Sequence, residues 1–182
     1  MIYPKILEPN SFEIFLINDR EVQIPRCKTT FEKWNGIPLK NNFGGKPCVN
    51  KNETAMFAEL ATLNIFLEDG WNGRWIETYG KPKLNPIHLK NWIDDSFKNQ
   101  IHDAIVDENI QKLLNKIAQT NDNNFGGIWD VVAWKNDKII FTELKRNKKD
   151  YIQSTQNKWL KSALQHGLTE ENFLLVEWNF CD

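Results

Sequence analysis

Asp130, Glu143 and Lys145 are the residues of this chain whose types and spacing could do chemistry together. The first opens the run DVVAW, the other two lie in KIIFTELK, and only the polar stretch KNDK separates the two runs. Both runs are rich in β-branched and aromatic residues, so they predict two strands of a hairpin. With Asn136 and Asp137 at the centre of a tight turn, where residue types that tolerate positive φ belong, Lys135 pairs with Lys138. The same register sets Asp130 opposite Glu143. Directly opposed residues share a face, with Cβ atoms about 5 Å apart, and that face would also carry the pairs Val132 with Phe141 and Trp134 with Ile139. Two carboxylates at the edge of an apolar face repel each other unless one is protonated or a cation lies between them. Oxygen donors suit magnesium or manganese, either of which can bridge carboxylates to a phosphate oxygen. Lys145, two residues beyond Glu143, points the same way, where an ammonium can orient an attacking water and stabilise charge on a pentavalent phosphate. The plain alternative is an exposed strand pair on which Lys145 merely neutralises Glu143. The combination of an opposed aspartate, an apolar face and a lysine favours the site.

The elements that must hold these groups can be read around them. A helix over Gln153–His166 follows the hairpin, with Trp159, Leu160, Ala163 and Leu164 on its apolar side and Gly167 as its stop, and FLLVEW (Phe173–Trp178) closes as a strand. Upstream, SFEIFLI (Ser11–Ile17) reads as a strand inside an otherwise loop-rich extension over residues 1–50. Asn50 followed by Glu53 has the spacing of a capping box and predicts a helix that carries Met56, Leu60, Leu63 and Leu67 and ends at Gly70. RWIET (Arg74–Thr78) is a short strand, GKPKLNP breaks the chain, and residues 84–122 form a mostly helical insertion. This order predicts a single α/β (α+β mixed) domain over residues 1–182, a mixed central sheet flanked by helices.

From Trp129 onward, WDVVAW, FTELK, DYIQSTQ (Asp150–Gln156), then Trp159, Leu160, Leu164 and Gly167, resemble the VRR-NUC branch of the PD-(D/E)xK nuclease superfamily. The resemblance implies a restriction-endonuclease-like core and a metal-dependent nuclease. It implies that Asp130 and Glu143 bind the metal with the Leu144 carbonyl, that Lys145 is the catalytic lysine, and that Gln156 supports the site. It also implies an acidic residue on a leading helix. Glu59 fits, beside Met56 and Leu63 and eleven residues before Gly70, with Glu53 as runner-up. Trp129 stands where a proline usually precedes the aspartate, and Arg146 where a glycine often follows the lysine; neither departure removes a ligand.

Between residues 135 and 161 eight basic side chains face three acidic ones, so Arg146, Lys148, Lys149 and Lys158 are candidates for nucleic-acid contact, against the plain reading of a solvated face. Of the eight tryptophans, Trp134 and Trp159 read as core and Trp71 and Trp75 stay open. A formal charge of −1 excludes a globally basic binder, and 41% hydrophobic residues exclude wholesale disorder. Three unclustered cysteines support neither zinc nor disulfides. No apolar run suits a membrane span, and the start MIYPKILEPN lacks signal-peptide layout, so a cytoplasmic protein is the expectation. The expected partner is DNA, with RNA open, as a monomer or homodimer; the rival is a silent nucleic-acid-binding or interaction module on the same fold.

Overall fold

The computed structural model describes residues 3–78 and 83–181. Ser11–Ile17 (β1) is a strand as predicted, and a turn through Asn18 and Asp19, both at positive φ, returns the chain as Arg20–Phe31 (β2). β2 corrects the expectation of a loop-rich extension, because it lies inside the central sheet, antiparallel to β1 and parallel to the last strand. Its burial is confined to a short middle stretch around Ile24, Pro25 and Cys27, too brief to print an alternating pattern.

Cys48–Lys51 (β3) and Thr54–Phe57 (β4) form a separate two-stranded sheet, from which Ala58–Glu68 (α1) starts directly. The predicted helix start is therefore corrected. Asn50 pairs with Ala55 in this hairpin, Met56 is a strand residue, and Asn52 and Glu53 form its turn with φ of 52° and 59°. Asparagine serves a cap or a left-handed turn equally well, and here the turn wins. Gly70 ends the helix as expected, at φ 79°.

Asn72–Glu77 (β5) pairs antiparallel with Ile87–Leu89 (β6). The mostly helical insertion is corrected in its first half: after β6 come a single 3-10 turn, Phe97–Asn99, and an extended run, and only Glu108–Thr120 (α2) is α-helical. Ile87 and Leu89 alternate at the strand period and find partners across β5, which decides strand over helix. The extended run is tied down by Arg74, whose guanidinium donates to the Asp103 carbonyl at 2.6 Å and the Asp103 carboxylate at 2.7 Å. Residues 79–82, which include the first three of the GKPKLNP break, lie outside the described residues.

Val131–Lys135 (β7) and Lys138–Arg146 (β8) form the predicted hairpin, with Asn136 at φ 54° in its turn and with Lys135 opposite Lys138, Trp134 opposite Ile139 and Val132 opposite Phe141. Ser154–Leu164 (α3) and Phe173–Phe180 (β9) complete the chain. The seven-stranded sheet runs β1-β2-β9-β8-β7-β5-β6, with β9 parallel to β2 and β8 and the other pairs antiparallel. One face packs Val131, Ala133, Ile140 and Leu144 against α1, and the other packs Val132, Phe141 and Phe173 against α2 and α3. Covered on both sides, β8 can be a near-continuous apolar run, in which a carboxylate stands out. Trp71, Trp75, Trp134 and Trp159 are all buried. The architecture is a restriction-endonuclease-like mixed α/β fold. Among the described residues no helix is long and apolar enough to cross a membrane.

Candidate active site

Alternation along β8 turns Glu143 and Lys145 to the same side as Phe141, the side covered by α3. Glu143 is only 3% exposed. Its Oε1 accepts from Lys145 Nζ at 2.8 Å and from Gln156 Nε2 at 2.5 Å. Gln156 reaches it from the first turn of α3, where its Oε1 also accepts the Gln153 backbone N–H at 2.7 Å. One side chain thus caps the helix and aims the carboxylate.

Asp130 stands one residue before β7, its carbonyl accepting the Ile76 N–H at 2.8 Å and its carboxylate accepting the Leu144 N–H at 2.8 Å. The loop leading to it lies against the start of α3 at Gly127, which has φ 83° and where a Cβ would run into the Thr155 carbonyl. Only glycine permits this approach. The hairpin, α3 and the loop between residues 121 and 129 therefore converge on one spot.

The electrostatics of that spot are unfavourable without a cation. Burial and the neighbouring Glu59 charge raise the Asp130 carboxyl to about 6, although Lys46, the Leu144 N–H and Lys145 pull the other way. Burial, the Asp130 charge and a carboxyl–carboxyl contact hold Glu143 well above the ordinary carboxylate range despite Lys145. Glu143 Oε2 is buried, and no N–H donates to it among the described residues.

Glu59 sits in the first turn of α1, nearly buried, with Oε1 2.5 Å from Lys46 Nζ. Glu53 occupies the β3–β4 turn, away from this first turn, and caps no helix. Lys46 is the residue that sequence reasoning missed. Burial works to lower its pKa, but the Glu59 and Asp130 charges outweigh that and hold it raised. Its only sequence signal is a lone lysine between Gly45 and Pro47 in a polar loop. Arg146 and Lys149 join Lys46 and Glu59 around a pocket of about 220 Å³. Lys148 and Lys158 do not line that pocket: Lys148 is exposed on the turn after β8, and Lys158 meets Asp122 at 3.7 Å.

A half-buried acid beside a β-hairpin, an Glu-x-Lys pair on the central strand and a helix glutamine on the glutamate are the arrangement of the PD-(D/E)xK nuclease class. The family model described as the VRR-NUC domain matches residues 70–174, more than half of the chain, and the protein belongs to that family of nuclease-type domains. No curated protein and no solved structure matches the chain.

Nucleases of this superfamily generally use divalent metals. The residues here fit such an ion: a half-buried and a buried carboxylate that repel each other, the buried one with a bare oxygen, form a hard-oxygen donor set. Among the described residues no three acidic, histidine or cysteine side chains gather into a metal-binding group. Backbone carbonyl, water and substrate oxygens would have to fill the rest of the shell of such an ion.

Proposed function

We propose that this protein is a magnesium- or manganese-dependent nuclease that hydrolyses DNA phosphodiester bonds, with Asp130, Glu143 and the Leu144 carbonyl holding the ion and Lys145 acting in catalysis. Glu59 on α1, paired with Lys46, bears on Asp130 through its charge and not as a direct ligand. The observation that carries this reading is the pinned Glu143: one oxygen is gripped by Lys145 and Gln156, and the other is buried and bare. A bound divalent ion would supply positive charge to the phosphate and make water a better nucleophile. Lys145, whose side chain is only 13% exposed, keeps its ammonium beside Glu143 and offers its protons to the developing charge on phosphate. Gln156 keeps Glu143 from rotating, and the Leu144 N–H does the same for Asp130.

Labelled single-stranded, duplex, flap and junction DNA, with matched RNA, incubated with the protein in magnesium, manganese or EDTA tests this. Cleavage of DNA in either metal, absent in EDTA and absent for Glu143→Ala, is the expected result. A folded protein that binds these substrates and cuts none in either metal overturns it in favour of a silent binding module.

A further inference from the structure

We infer that the pocket walled by Lys46, Glu59, Leu144, Arg146, Lys149 and Trp178 is a subsite for a backbone phosphate of the nucleic-acid strand, next to the bond to be cut, with Lys46 as its anchoring cation. The inference rests on the nuclease reading and names where its substrate is gripped. At about 220 Å³ the pocket is smaller than the roughly 300 Å³ at which sites for whole small molecules begin, so it takes a phosphate group rather than a free nucleotide.

Its cations are held in place before any ligand arrives. The Lys46 N–H donates to the Asn42 carbonyl at 2.9 Å, closing a turn, and its ammonium lies 5.4 Å from the Phe43 ring centre and 5.3 Å from that of Trp75. The Arg146 guanidinium lies over the Phe180 ring at 4.7 Å and that of Trp178 at 5.7 Å, and its buried Nε has no acceptor among the described residues. A buried guanidinium N–H without a partner asks for an anion. Among the described residues neither Arg146 nor Lys149 makes an ion pair through its side chain. Of the two acids on the pocket wall, Glu59 is paired with Lys46 inside the pocket, and Asp150 accepts the Arg146 backbone N–H at 2.9 Å. Three cations against two carboxylates give the wall a net charge of +1, with Arg146 and Lys149 outside any ion pair, which attracts phosphate.

Its location ties it to the reaction. Leu144 is a pocket wall and gives its N–H to Asp130, and Glu59 is a wall whose charge reaches Asp130. The pocket lies on the α1 side of β8, opposite to Glu143, and Asp130 links the two, so a strand whose scissile phosphate lies at Asp130 and Glu143 would pass a neighbouring phosphate round the end of β8 to Lys46, Arg146 and Lys149.

The test is fluorescence anisotropy of labelled single-stranded and flap DNA in EDTA, titrated over sodium chloride, for the full chain and for Lys46→Met, Lys46→Arg, Lys149→Met and Lys112→Met. Lys46→Met and Lys149→Met should each weaken binding roughly 3- to 10-fold and flatten the slope of log K against log salt by about one. Lys46→Arg should keep the slope, and Lys112→Met, an exposed α2 residue paired with Glu108, should change nothing. Unchanged affinity and slope for Lys46→Met and Lys149→Met, with thermal melts showing both folded, overturn the subsite. So does a Lys46→Met that only lowers the melting temperature while Lys149→Met, on an exposed turn, binds as before. Displacement of DNA by millimolar inorganic phosphate without loss of the slope difference would mark a free-anion site instead and overturn the strand assignment. A wild-type protein that cuts nothing in either metal sinks the nuclease reading alone, since the salt slopes are measured without metal.

Discussion

Two hairpins bracket the site, and they are built on opposite terms. The β7–β8 hairpin lies inside the large sheet between β5 and β9, with Val131, Val132, Ala133 and Phe141 fully buried. A one-residue slip there would turn every apolar side chain to the wrong core, so the register is locked, and Glu143 and Lys145 with it. The β3–β4 hairpin forms a sheet of its own, joined to the main chain beyond β2 by a bridge between Lys33 and Val49 and to the large sheet by side-chain packing, Phe57 against Trp75. It leads into α1 and Glu59, and the loop before it holds Lys46. The family match covers the first hairpin and stops short of the second. In the proposed reading the groups that must hold fixed geometry for bond cleavage, Glu143 and Lys145, ride on the locked hairpin, while the strand is gripped from both sides, by Arg146 at the end of that hairpin and by Lys46 beside the attached one.

The comparison breaks most sharply at the locked hairpin. Glu143→Gln should cut the rate of metal-dependent cleavage at least about 10³-fold, because it removes the charge that a cation and Lys145 both need. The same variant loses the buried like-charge repulsion, so in EDTA it should melt no lower than wild type. Lys145→Met should lower kcat by roughly 10²- to 10⁴-fold while DNA affinity in EDTA changes little. A Lys145→Met enzyme with wild-type kcat would remove Lys145 from the chemistry and leave it as a neutralising partner.

Gln156 comes next, since it acts through Glu143. Gln156→Leu should cost about 10- to 100-fold in cleavage and raise the magnesium concentration needed for half-maximal rate. It should also weaken the start of α3 by about 0.5–2 kcal/mol, the usual cost of losing a helix cap. Chemical denaturation against the magnesium titration separates the two effects. An unaltered metal requirement would reduce Gln156 to a capping residue.

What was legible in the sequence follows the same division. The register of the β7–β8 hairpin could be counted from the KNDK turn, because burial on both faces leaves one pairing that keeps Val132, Trp134, Ile139 and Phe141 together. The α3 helix was legible from Trp159, Leu160 and Ala163 for the same reason. β2 was not, since a strand of which only the middle is covered shows no period. The start of α1 was misread because Asn50 and Glu53 copy a cap while serving a hairpin. Lys46 was invisible: its importance arises from Glu59, Asp130 and Trp75, residues 13 or more positions away that only the fold brings near.

The electrostatic cost of the locked site sharpens the comparison through pH. Asp130 titrates near 6 in the folded chain and near 3.8 in an unperturbed one, so between those values the folded state holds more proton than the unfolded state. Its contribution is therefore favourable at the acid end and is lost as pH rises through about 6. In EDTA the melting temperature should fall by several degrees between about pH 5 and pH 8, and Asp130→Asn should fall less. Magnesium should restore the loss near pH 8 and do little near pH 5, where protons already separate the carboxylates. Equal pH slopes for wild type and Asp130→Asn would show that the pair carries no such strain.

The smallest effect lies at the tip of the attached hairpin, and it separates the two acids that compete for a role on the leading segment. Glu53 holds φ at 59°, a conformation that costs an L-residue roughly 1–2 kcal/mol and glycine almost nothing. Glu53→Gly should therefore leave cleavage and its metal dependence unchanged and stabilise the protein by under about 1 kcal/mol. Glu59→Gln, by contrast, removes the partner of Lys46 and a charge that bears on Asp130, so its cleavage should fall and its magnesium requirement rise. If Glu53→Gly were the variant that lost activity, the attached hairpin would reach into the chemistry itself, and the assignment of bond cleavage to the locked hairpin would be wrong.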